Sequence, residues 1–205
     1  MRDNGWSTLL RIQELKSVKI FWPTDEEIGD NIWLGVVDGT HIKTEEPNHP
    51  EFPKDPKAFL YKNHSAGLSY ELVSSLSESR IIWMNGPFPA GMNDFQIFNS
   101  PGGLREKLTE KRLRLIADHG YKGADDVLSC PNSRDSPEVA EFKTRAHMRH
   151  ELLNGKIKTL RCTDSARFRH KGNHKDGQSK FKICFEAAVV VTQYKMENGE
   201  PLFDI

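Results

Sequence analysis

The stretch "GVVDGTHI", residues 35–42, decides how the chain can be interpreted, because its apolar residues lead directly into an aspartate. Two valines precede Asp38 and a glycine follows it. Asp-Gly is a frequent turn dipeptide, so one interpretation is a turn after a buried strand. The other is a metal ligand, because a carboxylate at the end of a buried strand is unfavourable unless it is solvated or paired. This stretch alone leaves both interpretations open.

Length and composition predict one sizeable globular domain. The chain has 205 residues, of which 37% are hydrophobic and 28% charged. We find no run of about 18 apolar residues that could span a membrane. The first ten residues, "MRDNGWSTLL", lack the apolar core of a signal peptide. The three cysteines include no Cys-x-x-Cys pair, which is typical of a reducing compartment.

The charge is unevenly distributed along the chain. The formal net charge is zero, yet residues 142–182 contain twelve Lys or Arg, four His and only three acids. Such a basic segment favours a surface that binds a polyanion. A solvated helix face followed by a basic loop would have the same composition, and this alternative stays open.

The order of predicted elements indicates a mixed sheet flanked by helices. Apolar runs predict strands ending at Asp38 and Asp118, and a hairpin with its turn near Glu78–Ser79. The longest helical pattern runs from Ser136 to about Arg161, with an apolar side formed by Phe142, Met148, Leu152 and Ile157. Residues 7–20 predict a short amphipathic helix, and 181–196 predict either a strand or a buried helix. Trp22, Trp33 and Trp83 are expected in the core.

Four acids occupy positions where an acid needs an explanation. Asp38 and Asp118 end strands, Asp94 begins a helix, and Glu151 lies on the Met148/Leu152 side of the long helix. Separately, they could be a turn residue, a helix cap or a partner of a basic neighbour. Together they predict an all-oxygen cluster that a hard divalent cation would neutralise. Two such cations can stabilise the attacking and leaving oxygens of a phosphodiester.

Four motifs in order resemble the DDE transposase-derived nucleases of the PIF/Harbinger group, over about residues 22–195. They are "GVVDGTHI" (35–42), "GMNDFQIF" (91–98), "LIADHGY" (115–121) and "RHELLNGKIKTL" (149–160). The resemblance implies an RNase H-like α/β fold, a mixed five-stranded sheet flanked by helices. It implies a catalytic triad of Asp38, Asp118 and Glu151 that binds Mg²⁺ or Mn²⁺, with Asp94 as a further ligand.

The resemblance also implies a cellular context and a domain organisation. It implies a DNA substrate, a nuclear location, a Myb-like DNA-binding partner and the capacity to form an oligomer. We expect residues 1–30 to be the remnant of a helical region, 31–195 the nuclease domain and 196–205 a tail. The N-terminal residues offer too little for a helix-turn-helix, so cleavage with little sequence preference is expected. The positions predicted to contact DNA phosphates are Lys62, His64, Arg145, Arg149, Lys156 and Lys158.

Two departures and two alternatives accompany this interpretation. The family's histidine before the second aspartate is Asn93 here, and Lys62, Asn63 and His64 stand where relatives carry a basic patch. One alternative function is a domesticated or decayed relative that binds DNA or a protein without cutting. The other is a zinc site, which needs both cysteines and histidines at suitable spacing. Its candidates are Cys162, His170, His174 and Cys184, whereas His147 and His150 are expected to lie on the polar helix face or to contact DNA.

Overall fold

A computed structural model describes residues 33–44, 59–60, 65–163 and 175–202. The helix predicted for residues 7–20 and the position of Trp22 lie outside these ranges. The strands are β1 (Trp33–Lys43), β2 (Phe59–Leu60), β3 (Ser65–Ser75), β4 (Ile81–Pro89), β5 (Arg114–Ala117) and β6 (Leu128–Ser129). The helices are α1 (Asp94–Phe98), α2 (Leu104–Lys111), α3 (Pro137–Lys158) and α4 (Lys175–Glu197), with a 3₁₀ turn at His119–Tyr121.

The strands form a mixed sheet in the order β4-β3-β1-β5-β6, and the two-residue β2 also pairs with β3. β3 pairs antiparallel with β1 and β4, whereas β5 pairs parallel with β1 and β6. The predicted hairpin is therefore present between β3 and β4. The predicted mixed five-stranded α/β fold is confirmed, with β2 as a short addition.

Successive residues of β1 face opposite sides of the sheet, as the pleat of a strand requires. Val37 packs with Phe98 and Leu108 of the short helices α1 and α2. Val36 packs on the other side, with Ala146 of α3. Because Asp38 is two residues from Val36, its side chain belongs to the α3 side, whereas Gly39 belongs to the α1 side. The prediction that this strand ends at Asp38 is wrong, because pairing with β3 continues β1 to Lys43. The alternation therefore places the middle of β1 between two different helices.

The long helix α3 begins where the sequence predicts, but its core-facing side is different from the predicted one. Ser136 caps it by accepting a hydrogen bond from the Val139 backbone, and a proline follows at the first position. Met148 and Leu152, predicted to face the core, are 61% and 56% exposed. The buried residues of α3 are Lys143, Ala146, His150, Leu153, Asn154 and Ile157. Of the predicted apolar positions, only Ile157 is fully buried, and Phe142 is half-buried.

The C-terminal apolar segment, for which the sequence left strand and helix open, is the helix α4. Its residues Phe181, Phe185 and Val189 pack on Tyr70 and Leu72 of β3. The ring of Tyr70 stacks on that of Phe185 with centroids 3.8 Å apart. Of the helices that the structure describes, none has both the length and the apolar character needed to cross a membrane.

Candidate metal centre of a nuclease

The parallel pairing of β1 and β5 brings Asp38 and Asp118 next to each other, at the point where β5 ends. Val37 is the register partner of Ala117, so the next residue of each strand is an aspartate. Asp38 Oδ1 accepts a hydrogen bond of 2.8 Å from the backbone N–H of Gly39. Asp118 Oδ1 accepts one of the same length from Gly120 and caps the 3₁₀ turn. Asp118 therefore does begin the turn that the sequence allowed, and it does so beside Asp38.

Asp94 lies at the first position of α1, directly against Gly39 and Gly120, the glycines near Asp38 and Asp118. A Cβ atom at position 39 would overlap the Asp94 carboxylate, and one at position 120 would lie 3.2 Å from its Oδ2. Only a residue without a side chain allows this approach at position 39. Asn93, which departs from the family's histidine, caps α1 by accepting a hydrogen bond of 2.8 Å from the Gln96 backbone. Asn93, and not Asp94, is thus the helix cap. The Asp94 carboxylate instead lies beside Gly39 and Gly120.

Helix α3 contributes Glu151 and two polar neighbours on adjacent turns. Glu151 is exposed, and the negative charge of its carboxylate acts on Asp38. Asn154, one turn later, donates its side-chain amide to Asp38 Oδ2 at 3.5 Å. His147, one turn earlier, bonds to the backbone of Ala117 and lies within electrostatic range of Asp118 and Glu151. These contacts place α3 over Asp38 of β1 and over Ala117 at the end of β5.

The electrostatics of the cluster are dominated by the burial of Asp38. The pKa of Asp38 is raised from 3.8 to about 7, mainly by burial, and the Gly39 hydrogen bond partly opposes this rise. The carboxylates of Asp118, Asp94 and Glu151 also contribute to the rise. The other three predicted acids are therefore within electrostatic range of Asp38. Among the described residues, however, no three His, Cys, Asp or Glu side chains are gathered closely enough to hold a metal.

The donor set fits a hard divalent cation, although the side chains are not closed around one. Carboxylate oxygens are the ligands that Mg²⁺ and Mn²⁺ prefer. A cation among them would also offset the mutual repulsion that helps to raise the pKa of Asp38. The four acids lie far apart in the sequence and come together only when the chain folds. They are Asp38, Asp94, Asp118 and Glu151.

Behind Asp94 lie buried polar groups that the sequence did not reveal. Glu71 of β3 is fully buried opposite Gly39, and its Oε2 accepts a hydrogen bond of 2.8 Å from the Trp83 indole. The pKa of Glu71 is raised to about 8, mainly by burial, with the nearby Asp94 contributing and the Trp83 hydrogen bond opposing. The phenol of Tyr121 is also fully buried, within electrostatic range of Glu71 and Asp94. No local pattern distinguishes Glu71 in "GLSYELVSS", because its role arises from strand register.

The residues predicted to contact DNA differ in their exposure to solvent and in whether they already pair with an acidic side chain. Arg145 lies 3.8 Å from Glu141 on the helix surface. Lys156 Nζ donates to the Glu200 carbonyl at 3.1 Å and lies 3.6 Å from its carboxylate. Lys158 is exposed and Arg149 is half-buried on the same helix. Lys62 and His64 lie outside the described residues, so their predicted contact with DNA stays a prediction.

The expectation that His150 lies on the polar helix face is wrong. His150 is fully buried, and its Nδ1 is 2.9 Å from Ser74 Oγ. Burial lowers the pKa of His150 to about 3, which keeps the ring neutral in the core. For the alternative zinc site, Cys162 Sγ contacts the Cys184 carbonyl at 3.7 Å, and His170 and His174 lie outside the described residues.

The fold and the arrangement of acids agree with a comparison against protein families. The family model described as DDE superfamily endonuclease matches residues 37–190, well over half of the chain. The chain therefore belongs to the DDE superfamily endonucleases. No curated protein and no solved structure matches it. Membership implies transposase-like nuclease chemistry on DNA, for which divalent metals are the general cofactors of the family.

Proposed function

We propose that the chain is a divalent-metal-dependent DNA endonuclease in which Asp38, Asp118 and Glu151 are the catalytic carboxylates. Asp94 is the additional metal ligand. The observation that carries this proposal is the convergence of three further acids on the partly buried carboxylate of Asp38, whose pKa is raised mainly by burial and further by Asp118, Asp94 and Glu151. Three negative groups near a partly buried carboxylate are unfavourable unless a cation binds there.

In the proposed mechanism, the protein provides position and charge. When bound, divalent cations stabilise the charge that develops on the attacking and leaving oxygens of the phosphodiester. Asp38, Asp94, Asp118 and Glu151 would hold those cations. Asn154 orients Asp38 through its amide, and Gly39 leaves room for the Asp94 carboxylate. Burial lowers the pKa of His147, so the ring stays neutral beside Glu151 and adds no charge that competes with a cation.

Cleavage of a supercoiled plasmid tests this function directly. The protein is expected to nick the plasmid with Mg²⁺ or Mn²⁺ and to lose this activity with a chelator. Glu151→Gln should abolish nicking while DNA binding persists. Glu141→Gln is the matched control, because this exposed glutamate lies on the same helix and its neighbour is Arg145 rather than Asp38. Equal nicking by wild type and Glu151→Gln would refute the assignment. Binding without nicking by the wild type would favour the non-cutting relative.

The finer identity is also part of the proposal. The four motifs support membership of the PIF/Harbinger group, with residues 31–195 as the nuclease domain that includes the matched residues 37–190. A nuclear location and delivery to DNA ends by a Myb-like partner follow from that resemblance. Mapping nicks on a plasmid with candidate terminal repeats, with and without such a partner, tests this. End-specific cutting by the chain alone would show that delivery by a partner is not required.

A further inference from the structure

Two large apolar side chains lie on the solvent side of α3 and flank the proposed catalytic Glu151. Met148 is 61% and Leu152 is 56% exposed, although Leu153 on the same turn is fully buried. The burial of Leu153 and Ile157 shows that the core-facing side of α3 is elsewhere. The apolar pair is therefore available to a partner, because covering exposed apolar surface is favourable.

The same side of α3 borders a groove of about 790 Å³ that also contains Glu151 and His147. Small residues extend the groove wall beyond the apolar pair, namely Thr144, Gly155 and Thr159. A Cβ at position 155 would meet no atom within 4 Å, so the helix surface is open there. An extended ligand can therefore lie along this side of the helix and still reach Glu151.

We propose that Met148 and Leu152 form an apolar wedge that contacts an unstacked base beside the phosphate held at Glu151. The inference rests on the proposed function. Residues three or four apart on a helix have Cβ atoms about 5–6 Å apart. Nucleotides of one strand repeat about every 3.4 Å along the duplex axis. A nucleotide next to a phosphate near Glu151 would therefore be within reach of Met148 or Leu152, which lie three residues before and one residue after Glu151.

The chemistry of the pair selects a base rather than a phosphate. Thioether and branched alkyl side chains offer no hydrogen bond or charge to a phosphate. Met and Leu do serve as wedges between base steps in proteins that distort DNA, at a cost of a few kcal/mol per unstacked step. We name this pair, Met148 and Leu152, the α3 wedge.

The charges around the wedge favour DNA as the occupant. Arg145 and Arg149 lie within one turn of Met148, and Lys156 lies one turn after Leu152. An apolar pair with cations on both sides suits a strand whose bases turn inward and whose phosphates stay outside. A second protein on this surface is the competing occupant, and the experiment below distinguishes it.

The first test compares two substrates after the nick site on a short duplex has been mapped. One duplex is fully paired, and the other carries a two-nucleotide mismatch at the mapped site. The double variant Met148→Ser/Leu152→Ser should cut the paired duplex about tenfold or more slowly, since tenfold corresponds to about 1.4 kcal/mol. It should cut the mismatched duplex at a rate close to that of the wild type, because that base is already unstacked.

The second test needs no cleavage. A duplex carrying 2-aminopurine beside the mapped site, or at each position in turn if no site is found, is bound with Mg²⁺ and the fluorescence is read before nicking, because a cation would be needed to hold a phosphate beside the Glu151 carboxylate. The wild type should raise the fluorescence by unstacking the base, and the double variant should bind without this rise. Ile183→Ser is the control, because Ile183 is 64% exposed on α4 and lies outside the groove lining that includes Glu151.

The outcomes separate the wedge from the nuclease. Equal loss of cutting on both duplexes, no loss on either, or no fluorescence rise with the wild type would each overturn the wedge. A variant that changes the oligomeric state in light scattering, with base unstacking unchanged, would assign the surface to a protein contact instead. If the wild type unstacks a base but never nicks, the proposed function fails and the wedge stands.

Discussion

Asn154 of α3 donates its side-chain amide to Oδ2 of Asp38 at 3.5 Å, which connects the C-terminal part of the long helix to the middle of the first strand. The contact joins residues 116 positions apart in the sequence. Asn154 is buried and lies one turn beyond Glu151. The helix that carries one proposed catalytic carboxylate therefore also orients another.

We expect Asn154→Ala to reduce nicking about tenfold, because a mobile Asp38 carboxylate is a poorer ligand. Loss of a residue that hydrogen-bonds a metal ligand typically lowers metal affinity or activity about 10–100-fold. DNA affinity without metal should not change. Higher Mn²⁺ concentrations should partly restore the rate, which a general loss of folding would not allow. The control is Asn198→Ala, because Asn198 donates to the Tyr194 carbonyl on the surface of α4. An unchanged rate and metal dependence would exclude this role for Asn154.

For Asp118 the sequence was sufficient, because the apolar run of β5 stops directly before it. For Asp38 the sequence predicted the strand but not its length, because β1 continues to Lys43. Residues 39–43 stay in β1 through pairing with β3, which no local pattern reveals. The sequence could not reveal the role of Glu71 or Asn154, because each contacts the site through a partner that is distant along the chain. Gly39, for example, pairs with Glu71 only after β1 and β3 align.

The core-facing side of α3 was predicted wrongly for a related reason. Hydrophobic periodicity selects apolar residues, yet the buried side of α3 includes Lys143, His150 and Asn154. Lys143 forms a buried ion pair of 2.8 Å with Asp135, and His150 pairs with Ser74. These distant partners make burial of polar groups acceptable. Met148 and Leu152, which periodicity placed inside, are thereby left outside.

The buried Asp38 carboxylate should make the metal-free protein less stable at pH 8 than its Asp38→Asn variant. At this pH, which lies above the raised pKa of about 7, Asp38 is ionised while buried near three other acids. Removing that charge should raise the melting temperature in a chelator. Adding Mg²⁺ should raise the melting temperature of the wild type more than that of the variant. Calorimetry with and without metal measures both effects, and a variant that melts lower without metal would contradict this prediction.

Glu71 should make the free energy of unfolding depend on pH between about 4.5 and 8. These are the ordinary pKa of a glutamate and the raised pKa of Glu71 in the folded protein. In this range the unfolded chain has lost the proton and the folded protein keeps it, so stability falls as pH rises. The slope for one group is at most about 1.4 kcal/mol per pH unit. Glu71→Gln retains an acceptor for the Trp83 indole and does not titrate. Its denaturation midpoint should vary less over this range, and parallel pH profiles of variant and wild type would refute the prediction.

The basic surface of α3 should determine how DNA binding depends on salt. Each phosphate neutralised contributes about 0.9 to the slope of log affinity against log salt. Replacing Arg145, Arg149 and Lys158 together by glutamine should therefore flatten the slope by up to about 2.7. Lys156→Gln should have a smaller effect than Lys158→Gln, because Lys156 already contacts the carbonyl and carboxylate of Glu200, whereas Lys158 is exposed.

Fluorescence anisotropy at several salt concentrations measures these slopes without divalent metal, so catalysis does not enter. Lys107→Gln is a suitable control, because Lys107 lies on α2, 4.0 Å from Glu110, and α2 packs on the sheet face opposite α3. The control should leave the slope unchanged. If the triple variant also keeps the wild-type slope, the DNA-binding surface lies on another part of the chain. An equal effect of Lys156→Gln and Lys158→Gln would mean that the contact with Glu200 opens when DNA binds.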